Sequence, residues 1–277
     1  MSRCLKNTID GSSAINALEK DLAVLEALSY ADSPHRLAEI VARVGIGKPS
    51  VHRILQEMVR SGFATGLPGG YYAPGPRLVA VASMVVAEEQ RIRDIPAILE
   101  SVRDATGYTV HFAVRSGDEA VYVHKVNSDR PYQMRSRVGM RIPLYCTSIG
   151  KCILAWLDQA VAEEILDRSR LEPRTPHTLT TREQLTDELA RIREQGFAID
   201  NQENEANVRC AGVPVFDAAG AVIGGMSIST LVFELSLDEA TALAPRLASA
   251  AGQLSAAYSV TGAAQPRFAP APASVMK

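Results

Sequence analysis

Ser148 and Lys151 stand three apart in Ser148-Ile149-Gly150-Lys151, the spacing at which a lysine base can activate a serine nucleophile across one helical turn. The S-D-N and K-T-G strings that accompany that pair in known enzymes do not follow it. Cys146-Thr147-Ser148-Ile149-Gly150 grazes the nucleophile elbow, but a cysteine replaces its first glycine and no histidine is placed to partner it. Gly45-Ile46-Gly47-Lys48 hints at a phosphate loop, yet Ala42 occupies the place of the first glycine and Pro49 that of the Ser/Thr. A plainer reading of residues 146–151 is a helix start capped by Thr147 or Ser148, whose free N–H groups attract an anion. A serine-lysine hydrolase on Ser148/Lys151, or a thiol enzyme on Cys146/Cys210, is the alternative reading.

The remaining reactive side chains are dispersed. His111, His124 and His177 have no metal-type spacing and read as a strand, an edge and a loop histidine, so no metal or cofactor is expected. Cys4, Cys146, Cys152 and Cys210 form no CxxC pair, which points to reduced thiols in a cytoplasmic protein. Residues 200–205 (DNQENE) form an acidic polar loop after a short strand, either a solvated turn or a pocket lid with Asp200 turned inward. Ser227 and Ser229 alternate with Met226 and Ile228, so both hydroxyls share one strand face, where small hydroxyls suit a ligand cavity.

Periodicity supplies the elements that must hold these residues. Ile15, Leu18, Leu22, Leu25 and Leu28 make one stripe of a first helix, capped by Ser12 or Ser13 and stopped at Asp32-Ser33-Pro34. A short second helix carries Leu37, Ile40, Val41 and Val44. The turn Gly45-Ile46-Gly47 follows, and Pro49 opens a third helix with Val51, Ile54, Leu55, Met58 and Val59 inward. A hairpin turns at Pro68-Gly69-Gly70. Residues 78–89 form an Ala/Val-rich helix whose stripe of Leu78, Val81, Ala82 and Val85 calls for a partner helix or subunit. Beyond it the pattern predicts helices at 95–105, 148–157, 160–167, 182–195 and 236–258, and strands at 109–115, 120–126, 132–137, 208–216 and 222–229. Helices on a largely antiparallel sheet make this half α+β.

The chain has 277 residues with 47% hydrophobic and 22% charged, a globular composition long enough for two domains. Its net charge of -2 excludes a basic nucleic-acid coat but not a small DNA-reading module. No apolar run is long enough to span a bilayer, and the first residues carry no signal peptide.

The second helix, glycine turn and third helix match the helix–turn–helix whose last helix enters the major groove; the plainer alternative is a structural helical hairpin with a solvated face. Its outward residues are Lys48, Ser50, His52, Arg53, Gln56, Glu57 and Arg60. Arg and Gln pair bidentately with guanine and adenine edges, while Lys48 and Ser50 suit phosphates. Over residues 14–76 six acids balance six bases, so any positive field is local to the third helix and the wing.

Taken together these strings resemble the IclR family of bacterial transcriptional regulators over residues 13–262. The markers are Pro49-Ser50-Val51-His52-Arg53-Ile54-Leu55, Gly75-Pro76-Arg77-Leu78, Arg137-Val138-Gly139 leading to Pro143, and Thr147 to Ala155 (TSIGKCILA). Gly196-Phe197-Ala198-Ile199-Asp200, Val213-Pro214-Val215-Phe216-Asp217 and Ile228-Ser229 follow in family order. The resemblance implies a winged helix–turn–helix, a linker helix and a GAF-like α+β domain that binds a small metabolite. It maps the ligand cavity onto Ile142, Ser148, Ile149, Asp200, Val208, Cys210, Ser227 and Ser229, with Met134 in the apolar wall. Many relatives carry smaller residues than Ser148 and Ile149 there, which narrows the expected cavity.

The expected organisation is a loose tail (1–12), a winged helix–turn–helix (13–76), a linker helix (77–93), an effector domain (94–262) and a Pro/Ala-rich tail (263–277). The expected function is a non-enzymatic regulator that binds an operator and a small organic acid, as a homodimer or a dimer of dimers, away from membranes.

Overall fold

The computed structural model describes residues 16–29, 33–89 and 94–260. The expected tails at 1–12 and 263–277, the Ser12/Ser13 cap, Ile15 and Asp32 lie outside the described residues. The chain divides into two units, Met1–Arg91 and Ile92–Lys277.

The first unit runs α1 (Ala17–Leu28), β1 (His35–Arg36), α2 (Leu37–Val44), α3 (Lys48–Ser61), β2 (Ala64–Leu67), β3 (Tyr71–Pro74) and α4 (Pro76–Glu89). The cap of α1 is Asn16, whose side chain accepts the Glu19 N–H at 2.8 Å while Glu19 accepts the Asn16 N–H at 3.0 Å. Val24, Ala27 and Leu28 close onto Ile40, Val51 and Leu55 of the next two helices. Gly45 and Gly62 end α2 and α3 at φ 68° and 80°, a left-handed conformation that costs glycine little.

The stripe expected on α1 is buried only in part. Leu28 is in the core, but Leu18 and Leu22 are 65% and 50% exposed, because the core begins at Val24 and the first turns of α1 overhang it. Val79, Val81 and Met84 on α4 are exposed too. The sequence pattern also missed β1, two residues that pair with Tyr71 and Tyr72 to add a third strand to the wing. The start of α4 is tied to the wing: the Gly75 N–H donates to the Phe63 carbonyl at 2.8 Å, and the Arg77 guanidinium lies over the Phe63 ring.

The second unit contains α5 (Asp94–Thr106), β4 (Thr109–Ser116), β5 (Glu119–Val126), β6 (Arg141–Pro143) and α6 (Ser148–Trp156). It continues with α7 (Gln159–Arg168), α8 (Arg182–Gln195), β7 (Ala198–Asn201), β8 (Val208–Phe216), β9 (Val222–Leu231) and α9 (Leu237–Val260). Six strands form one antiparallel sheet in the order β6-β5-β4-β9-β8-β7. This is the α+β class expected.

Alternation along the central strands divides the core. Val110, Phe112, Met226 and Ile228 pack with Ile95, Leu99 and Leu247 of α5 and α9 on one face. Ala113 joins Ile149, Ile153, Leu189 and Ile192 of α6 and α8 on the other. At the end of α6, Trp156 meets Phe216 edge to face at 6.1 Å.

One expected strand is absent. Residues 132–137 belong to a loop spanning 127–140, and the strand that reaches the sheet is β6 instead. The carbonyls of Met134 and Ser136 are satisfied by the Lys125 ammonium, at 2.8 and 2.6 Å, rather than by a neighbouring strand.

Candidate functional site

In the first unit α3 presents Lys48, His52, Arg53, Gln56 and Arg60 to solvent, with Ser50 half-buried. Lys48, His52 and Arg53 make no hydrogen bond or ion pair among the described residues, so their donors are available. Two neighbours are engaged. Gln56 Nε2 donates to the Tyr72 hydroxyl at 3.1 Å, which locks the helix to the wing, and Arg60 pairs with Glu57. Of the expected reading face, Arg53 is thus the long cationic side chain left free at its centre.

In the second unit β4 and β9 are paired with His111 opposite Ser227, and β8 and β9 with Cys210 opposite Ser229. These residues share the sheet face that α6 covers. Helix α6 reaches that face because glycines make room. A Cβ on Gly212 would stand 2.9 Å from Ser148 Oγ, and one on Gly225 would stand 3.1 Å from Ile149 Cγ2. A Cβ on Gly150 would lie 2.6 Å from the Pro143 carbonyl oxygen, on the other side of the helix. Thr147 caps α6 by accepting the Gly150 N–H at 3.1 Å and donating its hydroxyl to the Pro143 carbonyl at 2.7 Å. The N–H groups of Ser148 and Ile149, in the same first turn, have no partner inside the helix.

Between this helix start, the sheet and the 127–140 loop lies a cavity of about 60 Å³. Ser148 and Ile149 line it from the helix, Ile142 from the edge strand β6, and Cys210, Ser227 and Ser229 from β8 and β9. Asp200 and Val208 border it from β7 and β8, and Met134 from the loop. All nine residues expected from the sequence therefore converge. The lining residues outside that set are His111 and Tyr122 on the strands and Arg135, Ser136 and Met140 on the loop, while Thr147 comes from the expected helix start and Asn204 and Glu205 from the expected polar lid.

His111 is buried and its ring links two cavity hydroxyls, Nε2 to Ser136 Oγ at 2.6 Å and Nδ1 to Ser229 Oγ at 3.3 Å. Burial, aided by the Lys125 charge, pulls its pKa down to about 3, so it is neutral at pH 7. Neutral imidazole has one donor and one acceptor, so one of the two serines accepts from it and the other donates to it. Asp200 accepts the N–H groups of Glu203 and Asn204, at 2.7 and 3.4 Å. Burial and the nearby Glu203 charge push Asp200 up to about 7.

Neither nucleophile arrangement assembles. Lys151 is buried and its ammonium donates to Glu188 at 3.0 Å, to the Ile199 carbonyl at 2.7 Å and to Glu203, never to Ser148. Burial opposes its charge, but the two carboxylates outweigh it and hold the pKa above the usual lysine value, so Lys151 is no base. Burial pushes the Cys146 thiol up to about 12 and Cys210 higher still, which leaves no thiolate at pH 7.

Residues 84–256 match the family described as bacterial transcriptional regulator IclR, C-terminal, and residues 17–68 match the IclR helix-turn-helix domain. The chain belongs to the IclR family. It is 33% identical to the HTH-type transcriptional regulator XynR of Escherichia coli over 218 residues, 78% of this chain and 86% of that one. The crystal structure of the Thermotoga maritima IclR aligns with a TM-score of 0.66 and 32% identity, covering 88% of this chain and 98% of the other. An IclR homolog from Microbacterium hydrocarbonoxydans, crystallised with 4-hydroxybenzoate, shares the fold at a TM-score of 0.72 and 22% identity. That alignment covers 87% of this chain and 98% of the homolog.

The chain is accordingly a ligand-responsive, DNA-binding transcriptional regulator of the IclR type, and the hydrolase alternative is set aside. Among the described residues no helix is long and apolar enough to cross a membrane, and no three His, Cys, Asp or Glu residues cluster to hold a metal.

Proposed function

We propose that this regulator reads its operator with Lys48, Ser50, His52, Arg53, Gln56 and Arg60 of α3, and responds to a small organic acid held in the cavity under α6. The observation that carries the reading is the meeting, in one cavity, of the open N–H groups at the α6 start with the hydroxyls of Ser148, Ser227 and Ser229. A helix start attracts a carboxylate, and hydroxyls complete its hydrogen bonds. Ile142, Met134 and Val208 supply the apolar wall for the carbon skeleton. The volume of about 60 Å³ is well below the ~150 Å³ that admits benzene, so the cavity as it stands suits a short acid and has to widen for a longer or ring-bearing one. The homolog crystallised with 4-hydroxybenzoate supports an organic-acid ligand, and the likeness to the transcriptional regulator XynR supports control of an operon by it.

Copies of the chain pair through the overhanging face of α1 and the exposed face of α4, presenting two recognition helices to a two-fold operator, with a dimer of dimers as the next level. The test is a thermal-shift screen of acids, amines, sugars and neutral aromatics. A ligand at 100-fold over its Kd adds ~2.7 kcal/mol of stability. Stabilisation by acids supports the reading, and stabilisation by amines or neutral sugars alone overturns it.

A further inference from the structure

The 127–140 loop contributes Arg135 to the cavity, and this guanidinium makes no hydrogen bond or ion pair among the described residues. Most other arginines of this unit are engaged. Arg168 forks onto Asp118 at 2.8 Å through both nitrogens, Arg191 pairs with Glu188, and Arg209 donates to Asn201. A long charged side chain left without a partner beside a cavity is an unused recognition group.

The backbone that carries it is held on both sides. Lys125 donates to the carbonyl of Met134 at 2.8 Å and to that of Ser136 at 2.6 Å, the residues immediately before and after Arg135. Ser136 Oγ is bonded in turn to His111 on the central strand. Farther back, Gln133 Nε2 donates to the Ser128 and Arg130 carbonyls, both at 3.0 Å. The Cα of Arg135 is therefore fixed over the cavity while its head group stays free. That arrangement lowers the entropy lost when the head group is captured.

We propose that Arg135 is the charge-bearing partner of the effector carboxylate and the residue that makes the site select acids over their neutral analogues. This rests on the organic-acid reading above. The α6 start offers only partial charge and neutral His111 adds none, while Lys125 is turned to the loop carbonyls and Lys151 is paired with Glu188 and Glu203, so Arg135 is the cation that lines the cavity opposite Asp200 and Glu205. A carboxylate has lone pairs enough to take the guanidinium fork and helix N–H groups together. A carboxamide of the same shape keeps the hydrogen bonds to the serines but gains nothing from the guanidinium charge.

The full-length protein is titrated by calorimetry with lactate, succinate, gluconate and benzoate, each beside its carboxamide, as wild type, R135Q and R135K. For each acid that binds the wild type, R135Q is expected to lose about 30-fold in affinity, as for removal of a charged hydrogen-bonding partner, with the carboxamide changed less than about threefold. R135K, which keeps the charge but not the fork, is expected to fall between them. Melting temperatures without ligand are expected to match, since Arg135 is exposed and unpaired. An acid-to-amide preference unchanged in both variants overturns the assignment of Arg135 and leaves the organic-acid reading standing. Failure of all four acids to bind the wild type overturns that reading and this inference with it.

Discussion

One Asp200 carboxylate oxygen accepts the backbone N–H of Glu203 at 2.7 Å, so the acid that borders the cavity also closes the turn after its own strand. Burial and Glu203 raise its pKa from 3.8 to about 7 in the folded chain. The native state therefore binds this proton more tightly than the unfolded chain does. The resulting stabilisation is fully present below about pH 4 and is lost as pH rises through about 7. Its size is of order 4 kcal/mol at most, taking ~1.4 kcal/mol per unit. Asp200→Asn keeps an oxygen to accept the Glu203 N–H but cannot titrate. Urea unfolding between pH 5 and 8 is expected to show a downward slope in the wild type that flattens in the variant. Equal slopes would place the titration on another group.

Gly212 sets how close α6 can come to the sheet. Gly212→Ala places a methyl 2.9 Å from Ser148 Oγ and 3.0 Å from the Ser148 carbonyl carbon, so the first turn of α6 must lift. The expected cost is about 1–3 kcal/mol, as for other overpacked cores. Acid binding is expected to weaken along with it, because the shifted turn carries the open N–H groups. Denaturation midpoints and a ligand titration on the same preparation check both, and full affinity at reduced stability would separate the helix start from the ligand.

Arg53→Ala is expected to abolish the preference for operator over random duplex while leaving the fold intact. A bidentate base contact is worth ~1–3 kcal/mol, and nothing in the unit uses the Arg53 guanidinium for packing. Gln56→Ala should act differently. Its amide bonds the Tyr72 hydroxyl, so the variant loosens the wing as well as the reading face. Fluorescence anisotropy on specific and random duplexes distinguishes a lost preference from a uniform loss of affinity.

Leu22→Glu combined with Val81→Glu is expected to reduce a dimer to monomers, since both side chains are exposed within the chain and apolar. Light scattering at micromolar concentration reads the mass directly. A wild-type monomer, or a variant still dimeric, would move the pairing surface elsewhere.

The parts of the site that sequence made legible are those written in local periodicity. Ser227 and Ser229 share a face by strand alternation alone, and the α6 start is announced by Thr147 ahead of an apolar helical run. His111 was visible only as a strand histidine, because its place beside Ser227 depends on β4 pairing with a strand more than a hundred residues away. Arg135 and Ser136 were obscured by a strand-like string around them. In the fold the Lys125 ammonium, not a strand partner, takes the carbonyls of Met134 and Ser136, a contact that no local pattern encodes. On α1 the leucine spacing gave the helix correctly, but spacing cannot tell a stripe that meets this chain's own core from one that overhangs it.

Trp156 is the sole tryptophan of the chain and ends the helix whose first turn borders the cavity. Eight helical steps at ~1.5 Å each put the Trp156 backbone roughly 12 Å along the helix from Ser148, at the opposite end from the cavity. Its edge-to-face contact with Phe216 changes only if α6 shifts against β8. The protein thus carries a built-in optical reporter: emission from an unlabelled sample registers a displacement of α6, and the helix–turn–helix unit holds no tryptophan to add to that signal.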